Sequence, residues 1–384
     1  MMKMNVIPTT GMKISEVGLG CEHLQGMDYE SIEKVVHAAL DCGINIFDVF
    51  MSEPQVRTNI GKALAGRRDQ VILQGHIGAA WIDGQYARTR DAEKCRIFFE
   101  DFLERYQTDW LDIGFLHFID DDKDFDDVFA GDMINYVVDL KRRGAIKAIG
   151  LSSHNAAVAL RAVKTGLIDV LMFSLNPAFD ILPPIEDIDV LFQADTLRKS
   201  TWQNLDPVRD ELYRTCAASG VAITVMKGLG AGMLLNEKSS SLGIALTPVQ
   251  CIHYALTRLA VASVLVGCRT PDEVYAAVAY EQASDEAKDY SVALSQSSWY
   301  TASGRCMYCN HCLPCPSMID IAQVNKMLDL ALISNSLPDT VRAHYKAMEQ
   351  RASTCIECAS CEERCPFGVL VIDRMRQAVS VFGD

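Results

Sequence analysis

The sequence lacks any apolar run long enough to cross a membrane. No stretch of its 384 residues approaches about 18 consecutive apolar residues, the length that marks a transmembrane helix. The segment Met1–Thr10 also lacks the apolar core of a secretory signal peptide. These absences argue against a membrane partner, and we expect a soluble, cytoplasmic protein.

An excess of positive charge is missing as well. Lys and Arg number 36 against 50 Asp and Glu, which gives a formal net charge of -14. Because nucleic-acid binding needs a basic face for the phosphates, no nucleic-acid partner is expected. The 49% hydrophobic and 22% charged residues are typical of a globular protein. The length allows one large core and a small second domain.

Cysteines are sparse along most of the chain and concentrated at its end. Six of the fourteen are scattered before residue 300, mostly in apolar contexts typical of reduced, buried thiols. The other eight form two runs, Cys306–Cys315 and Cys355–Cys365, each ending in Cys-Pro. In each run three cysteines are spaced two residues apart, and a fourth follows.

This spacing is typical of a pair of [4Fe–4S] clusters, in which each run lends its fourth cysteine to the other cluster. The alternatives are zinc, whose ligands usually come as separated pairs, and disulfides. One cluster is assigned to Cys306, Cys309, Cys312 and Cys365. The other is assigned to Cys355, Cys358, Cys361 and Cys315.

The region before this tail alternates short β-branched runs with longer segments of helical period, which predicts an α/β fold. Eight such units favour a TIM barrel over an open doubly wound sheet, because no Gly-rich dinucleotide turn follows the first strand. The predicted strands are Glu16–Leu19, Asn45–Phe47, Val71–Leu73, Trp110–Leu116, Ala148–Leu151, Val170–Phe173, Ala222–Val225 and Ser263–Val266.

Several motifs resemble those of the aldo-keto reductase family, in the order that the family has them. They are Thr10–Gly20, Asn45–Asp48, Ile60–Leu64, Trp110–His117, Gly144–Ser152 and Val266–Pro271. With its cysteine tail, the chain resembles the bacterial branch of this family that ends in a ferredoxin-type domain. The resemblance predicts a TIM barrel over residues 1–298 and a small, α-helical, ferredoxin-like domain with two clusters over residues 299–384.

The resemblance implies a catalytic tetrad of Asp, Tyr, Lys and His, of which the chain keeps half. Asp48 and His117 match the Asp and the His, and His76 stands at about the position of the Lys. The segment that should carry the Tyr is shortened. The long third loop, Ile77–Arg90, contains Tyr86, which could supply the phenol or could pack the loop; we favour packing.

The resemblance also points to a cofactor site that is only partly kept. The candidate cofactor-binding residues are Ser152, Asn176, Lys227, Gly228, Gly230 and Arg269. The glycines of this set could let backbone amides approach phosphates, or they could simply form a tight turn. The family's adenine-contacting pair is replaced by Ala276–Ala277. NAD(P) or a flavin could use this loop, since flavins couple hydride chemistry to one-electron clusters.

Four histidines, His23, His76, His117 and His154, fall at four predicted strand ends, where barrel active sites lie. They could be acid–base groups, ligands of a divalent metal, or unrelated loop residues. We predict Asp48, His76 and His117 as catalytic residues. The leading hypothesis is an oxidoreductase that moves electrons between [4Fe–4S] clusters and a small organic substrate, or a bound redox cofactor, at the barrel mouth.

Two other functions stay open on the sequence. One is a metal-dependent lyase or isomerase that uses the His-rich mouth. The other is a non-catalytic electron carrier or redox sensor. A small-molecule substrate and an electron-transfer protein are the expected partners.

Overall fold

The computed structural model describes residues 2–181, 206–240, 242–296, 306, 312–333, 337, 339–365 and 368–383. Two short strands, β1 (Met4–Val6) and β2 (Lys13–Ser15), form an antiparallel hairpin at the start. A second hairpin joins β6 (Ala79–Ile82) to β7 (Gln85–Arg88). Neither hairpin was predicted from the sequence.

Eight parallel strands close into a barrel in the order β10-β11-β12-β3-β4-β5-β8-β9. Their bounds are β3 Val17–Gly20, β4 Ile46–Val49, β5 Ile72–Ile77, β8 Leu111–Leu116, β9 Ile146–Ser153, β10 Val170–Ser174, β11 Ala222–Met226 and β12 Val261–Gly267. Each corresponds to one predicted strand, so the predicted TIM barrel is confirmed. β5 extends four residues beyond its predicted end, which carries His76 into the strand.

Helices pack outside the barrel. They are α1 Tyr29–Asp41, α2 Pro54–Ala63, α3 Ala92–Arg105, α4 Asp122–Ala130, α5 Asp132–Arg142, α6 Ala156–Lys164, α7 Pro177–Ile181, α8 Pro207–Ser219, α9 Pro248–Leu256, α10 Pro271–Val278, α11 Asp285–Lys288 and α12 Ser291–Gln296. Many begin at a side chain that accepts backbone N–H groups of the first turn, such as Asp28, Asp91 and Asn155. Such caps satisfy donors that have no partner within the helix.

The interior of the barrel is apolar and closed at the bottom. Ile46, Ile113 and Phe115 point inward and pack in one cluster with Ile7 and Ile14 of the first hairpin. Since side chains alternate across a strand, the residues two positions after Ile46 and Phe115 also face inward, at the C-terminal ends of the strands. The bottom is thereby sealed, and the C-terminal ends of the strands form the mouth.

The tail contributes α13 (Ile321–Ile333), α14 (Asp339–Lys346), α15 (Ser360–Glu363) and α16 (Val371–Phe382). α13 contacts the barrel, because Arg214 of α8 donates to the carbonyl of Asp329 at 2.5 Å. Arg374 of α16 binds the Asp329 carboxylate from the other side at 2.6 Å. The predicted domain boundary at residue 298 lies outside the described residues. Within the described part of the chain, no helix is long and apolar enough to span a membrane.

Candidate active site at the barrel mouth

Four adjacent strands bring polar side chains to the inner face of the mouth. Asp48 lies two residues beyond inward-facing Ile46, and His117 lies two beyond Phe115. His76 of β5 is paired in register with Phe115. Ser152 of β9 is the fourth of these side chains. All four are buried, at 7% exposure or less.

Three of these side chains and Tyr86 form one hydrogen-bonded row. His76 Nε2 lies 3.0 Å from Asp48 Oδ1. His76 Nδ1 lies 2.8 Å from His117 Nδ1. His117 Nε2 lies 2.6 Å from the Tyr86 hydroxyl. The structure therefore joins the predicted Asp48, His76 and His117, and it adds the phenol that strand-end analysis did not place there.

Tyr86 reaches the mouth because the third loop folds into the β6–β7 hairpin. The turn is Asp83–Gly84, with both φ angles positive, at 52° and 76°. An Asp-Gly pair between alternating residues is a strong hairpin signal, and it could have identified this element from the sequence. The sequence favoured a packing role for Tyr86 over a role as the phenol, and in the structure its hydroxyl lies 2.6 Å from His117 Nε2. Tyr86 is 45% exposed, and its hydroxyl bonds His117.

Aromatic rings hold the two imidazoles in place. Phe115 stacks on His76 with ring centroids 5.1 Å apart, and Phe50 stacks on His117 at 6.0 Å. The Phe115 ring in turn lies on Gly150, where a Cβ would approach ring atoms to 2.5–2.8 Å. Gly150 is therefore required for the close approach of this ring rather than for a turn.

Burial and neighbouring charges keep His117 neutral. The pKa of His117 lies well below its ordinary value, first because of burial and then because of the charges at His76, Arg90 and Arg88. Burial also raises the pKa of Tyr86. Both groups are therefore uncharged near neutral pH, and the Tyr86 phenol keeps its proton.

Ser152 and Asn176, predicted as cofactor-binding residues, are engaged within the protein. The Ser152 hydroxyl accepts from the Phe118 N–H at 2.8 Å and lies 3.5 Å from His76 Nδ1. Asn176 donates to the Lys227 carbonyl at 2.8 Å, and its side-chain oxygen caps the start of α7. Ser152 thus belongs to the histidine site, and Asn176 supports the backbone around it.

The predicted phosphate loop has an irregular backbone. Lys227 and Gly230 both have a φ of 60°, and Gly228 is buried against Val264. The N–H groups of Gly230 and Gly232 already donate to carbonyls of the same loop. Fewer amides are therefore left to bind a phosphate.

The two predicted phosphate-binding cations lie near acidic side chains. Lys227 Nζ lies 3.4 Å from a Glu22 carboxylate oxygen. The Arg269 side chain is exposed, and its backbone N–H donates to Glu273 at 2.6 Å. An anionic NAD(P) or flavin phosphate would have to compete with these carboxylates, so the loop fits such a cofactor only in part.

The mouth does not fit a divalent metal. Among the described residues, no three His, Cys, Asp or Glu side chains are arranged to hold one metal ion. The ring nitrogens of His76 and His117 are occupied by Asp48, by each other and by Tyr86. His154 is held by Asp120 at 2.9 Å.

The tail contains a pocket lined by cysteines of both runs. It encloses about 360 Å³ of space, partly continuous with solvent, and Cys315, Cys355, Cys358 and Cys361 all line it. These are the four ligands assigned from the sequence. A [4Fe–4S] cubane would take one cysteine on each of its four irons.

The other predicted cluster site is described only in part. Cys309 lies outside the described residues. Arg364 joins the two cysteine runs by donating to the carbonyls of Cys312 and Pro314, at 2.9 and 2.7 Å. The Val369 N–H lies 3.5 Å from the Cys365 sulfur. Cys365 directly follows Arg364, and its assignment to the first cluster stays a prediction.

Comparison with protein families gives two matches. The model of the aldo/keto reductase family matches residues 16–245, and that of the 4Fe-4S dicluster domain matches residues 305–369. The tail is therefore a 4Fe-4S dicluster domain, as predicted.

Two curated relatives come from Bacillus subtilis. The uncharacterized oxidoreductase YqkF is 31% identical over 182 residues, which are 45% of this chain and 57% of YqkF. The aldo-keto reductase YhdN is 29% identical over 161 residues, 40% of this chain and 47% of YhdN.

The chain thus spans about half the length of these curated relatives. Among solved structures, the holo form of aldo-keto reductase AKR11C1 from Bacillus halodurans has a TM-score of 0.60 at 23% identity, covering 77% of this chain and 96% of its own. The putative aldo-keto reductase PA4992 from Pseudomonas aeruginosa has a TM-score of 0.55 at 22% identity, with coverage of 72% and 93%. These structures support the barrel fold. Since the family model covers more than half of its residues, this chain belongs to the aldo/keto reductase family.

Proposed function

We propose that this protein is an oxidoreductase that reduces a carbonyl group, or oxidises the corresponding alcohol, of a small organic molecule at the barrel mouth. The row Asp48–His76–His117–Tyr86 carries the proposal, because it ends in a phenol that faces the mouth. A reducible carbonyl needs a proton donor aimed at the oxygen that gains charge. Tyr86 has that position.

The row can deliver a proton in two consistent states. In the first state Asp48 is ionised and both imidazoles are neutral. Tyr86 then donates to His117, His117 donates to His76, and His76 donates to Asp48. In the second state Asp48 holds one more proton, and donor and acceptor are exchanged in every hydrogen bond of the row. His117 then donates to Tyr86, whose O–H is free to point at the substrate. Contacts of 2.6–3.0 Å are short enough for either direction. Reduction of the substrate therefore takes one proton from Tyr86 and leaves Asp48 ionised. Oxidation of the alcohol transfers the proton along the row in the opposite direction.

His76 replaces the lysine that the family uses to tune its tyrosine. A lysine supplies a fixed positive charge, whereas a buried imidazole passes a proton between its two nitrogens. Tyr86 is therefore linked to a proton path. Burial raises the pKa of Tyr86, and the nearby charges of Arg88 and Arg90 only partly oppose that rise. This supports Tyr86, His117, His76 and Asp48 as one functional unit.

The dicluster domain supplies the electrons in this proposal. Each [4Fe–4S] cluster, when bound, exchanges one electron, and carbonyl reduction takes two electrons and two protons. Two clusters, held by the two cysteine sets assigned above, match that number. The cysteines of the tail would hold the clusters that supply electrons to the substrate, and the mouth could hold an NAD(P) or flavin between them. A protein that donates electrons to the tail completes the proposed cycle.

Anaerobic single-turnover measurements test the proposal. Protein reduced with dithionite and freed of excess reductant is mixed with carbonyl compounds, and cluster reoxidation and alcohol formation are followed together. Tyr86→Phe should slow product formation by about 10²–10⁴-fold, the usual value of general acid catalysis. Tyr29→Phe is the control, because that hydroxyl bonds Glu33 on α1 and is not a member of the polar row. Equal rates in the two variants would exclude Tyr86 as the proton donor. Reoxidation without any alcohol would exclude carbonyl reduction.

A further inference from the structure

A second functional side chain lies on the same hairpin as Tyr86. Arg88 follows it by two positions on β7. Residues i and i+2 of a strand point to the same face, with Cα atoms about 6.8 Å apart. Because the Tyr86 hydroxyl bonds His117, the face that carries Arg88 is the one that covers the mouth.

Arg88 is held by apolar and backbone groups. Its guanidinium carbon lies 4.4 Å over the Phe118 ring, and Nη1 lies 3.4 Å from the Phe118 carbonyl. Phe118 directly follows His117 in the chain. The guanidinium is thereby positioned next to the proposed proton donor, while its side chain stays exposed to solvent.

Arg88 forms no ion pair with an acidic side chain of the described residues. Its neighbour Arg90 binds Asp124 at 2.5 Å. The nearby Asp120 accepts from His154 and Ser153. The positive charge of Arg88 therefore has no ion-pair partner among the described residues. The pKa of His117 is lowered by burial first, and Arg88 adds to that effect after His76 and Arg90.

We propose that the substrate is a short oxo acid, whose carboxylate binds Arg88 while its carbonyl oxygen receives the proton of Tyr86. This inference rests on the proposed carbonyl reduction. A guanidinium presents a planar pair of donors that matches a carboxylate, which makes it the preferred side chain for this recognition. Phe50 and Phe118 offer apolar surface for a short carbon chain beside the two polar anchors.

The reaction balances with the electrons already assigned. The C=O double bond of the oxo acid becomes a C–O single bond, and new C–H and O–H bonds form. Two electrons come from the reduced [4Fe–4S] clusters, one proton from Tyr86 and one from solvent. The product is the hydroxy acid with its carboxylate unchanged.

Matched acids and amides test this assignment. Pyruvate, acetoacetate and levulinate are compared with their amides in dithionite-reduced wild-type protein, Arg88→Gln, Arg88→Lys and the control Arg96→Gln. Arg96 is a partly exposed arginine of α3 that pairs with Glu93 and Glu100. We expect Arg88→Gln to raise KM for the best acid about 10–100-fold, with little change in kcat and none for the amide. Arg88→Lys should restore part of the loss, and Arg96→Gln should have no effect.

The outcomes separate this inference from the proposed function. If acids and amides react equally well, or if Arg88→Gln affects both alike, Arg88 does not bind a carboxylate, while carbonyl reduction still stands. If no compound is reduced, the proposed function fails. Calorimetric titration of oxidised protein with the three acids then decides: binding lost only in the Arg88 variants supports the anion site, and equal or absent binding overturns it.

Discussion

Replacing Gly150 by alanine should disturb the active site through one ring. A Cβ at Gly150 would lie 2.5 to 2.8 Å from three ring atoms of Phe115, which is fully buried and stacked on His76. The ring must move, and the imidazole in contact with it must move too. Overpacking of this kind costs about 1–3 kcal/mol of stability. A displacement of about 1 Å in a positioning group can lower a rate about 100-fold.

Gly18 provides the matched control. A Cβ there would meet Leu265 and Ile46 side chains at 2.7 and 2.8 Å, deeper in the same barrel interior. Gly18→Ala should therefore lose a similar amount of stability without contact to His76. Anaerobic thermal unfolding and single-turnover rates are measured for both variants, at a temperature where both are folded.

We expect both variants to lose several degrees in Tm and only Gly150→Ala to lose about 10–100-fold in rate. Equal rates for the two variants would show that the Phe115–His76 contact does not position the imidazole. An unchanged Tm in Gly150→Ala would show that the ring can relax at no cost.

Three further outcomes are expected. Cys315→Ala should remove only the cluster bound with the second cysteine run, and Cys365→Ala should remove only the other cluster. In each variant the iron and sulfide content should fall from about eight to about four of each per chain. Loss of both clusters in each variant, or stoichiometric zinc without sulfide, would contradict the assignment. Burial, assisted by Lys288, lowers the pKa of His253 to about 4, while an unfolded His titrates near 6.5. The unfolded chain therefore binds the extra proton as the pH falls through this window, so stability should decrease from about pH 6.5 toward 4, and His253→Gln should flatten that dependence in anaerobic unfolding. Because Ala276–Ala277 replaces the adenine-contacting pair, steady NADPH oxidation with simple aldehydes should be slow, and rates typical of the family would refute this.

Much of the architecture follows from local sequence signals. The barrel strands are short, mostly apolar runs, and their ends converge at the mouth. The order of the strands alone therefore predicts that Asp48, His76 and His117 lie together. Their catalytic role stays a prediction. The spacing of the cysteines likewise defined the ligand sets, and the pocket around Cys315 agrees with one of them.

Other features depend on contacts between distant parts of the chain. Tyr86 reaches His117 only because the third loop folds back as a hairpin, and the register of that hairpin decides which of its residues face the mouth. Asn176 looked available for a cofactor, but its position next to the Lys227 carbonyl ties it to the backbone.

The sequence by itself determined the eight β/α units, the iron–sulfur tail and three members of the polar row, because these depend on periodicity, spacing and strand order. The tertiary structure decided which phenol completes the row and which cation stands beside it. Both depend on the direction of side chains in the β6–β7 hairpin, where a shift of one residue would turn Tyr86 and Arg88 away from the mouth.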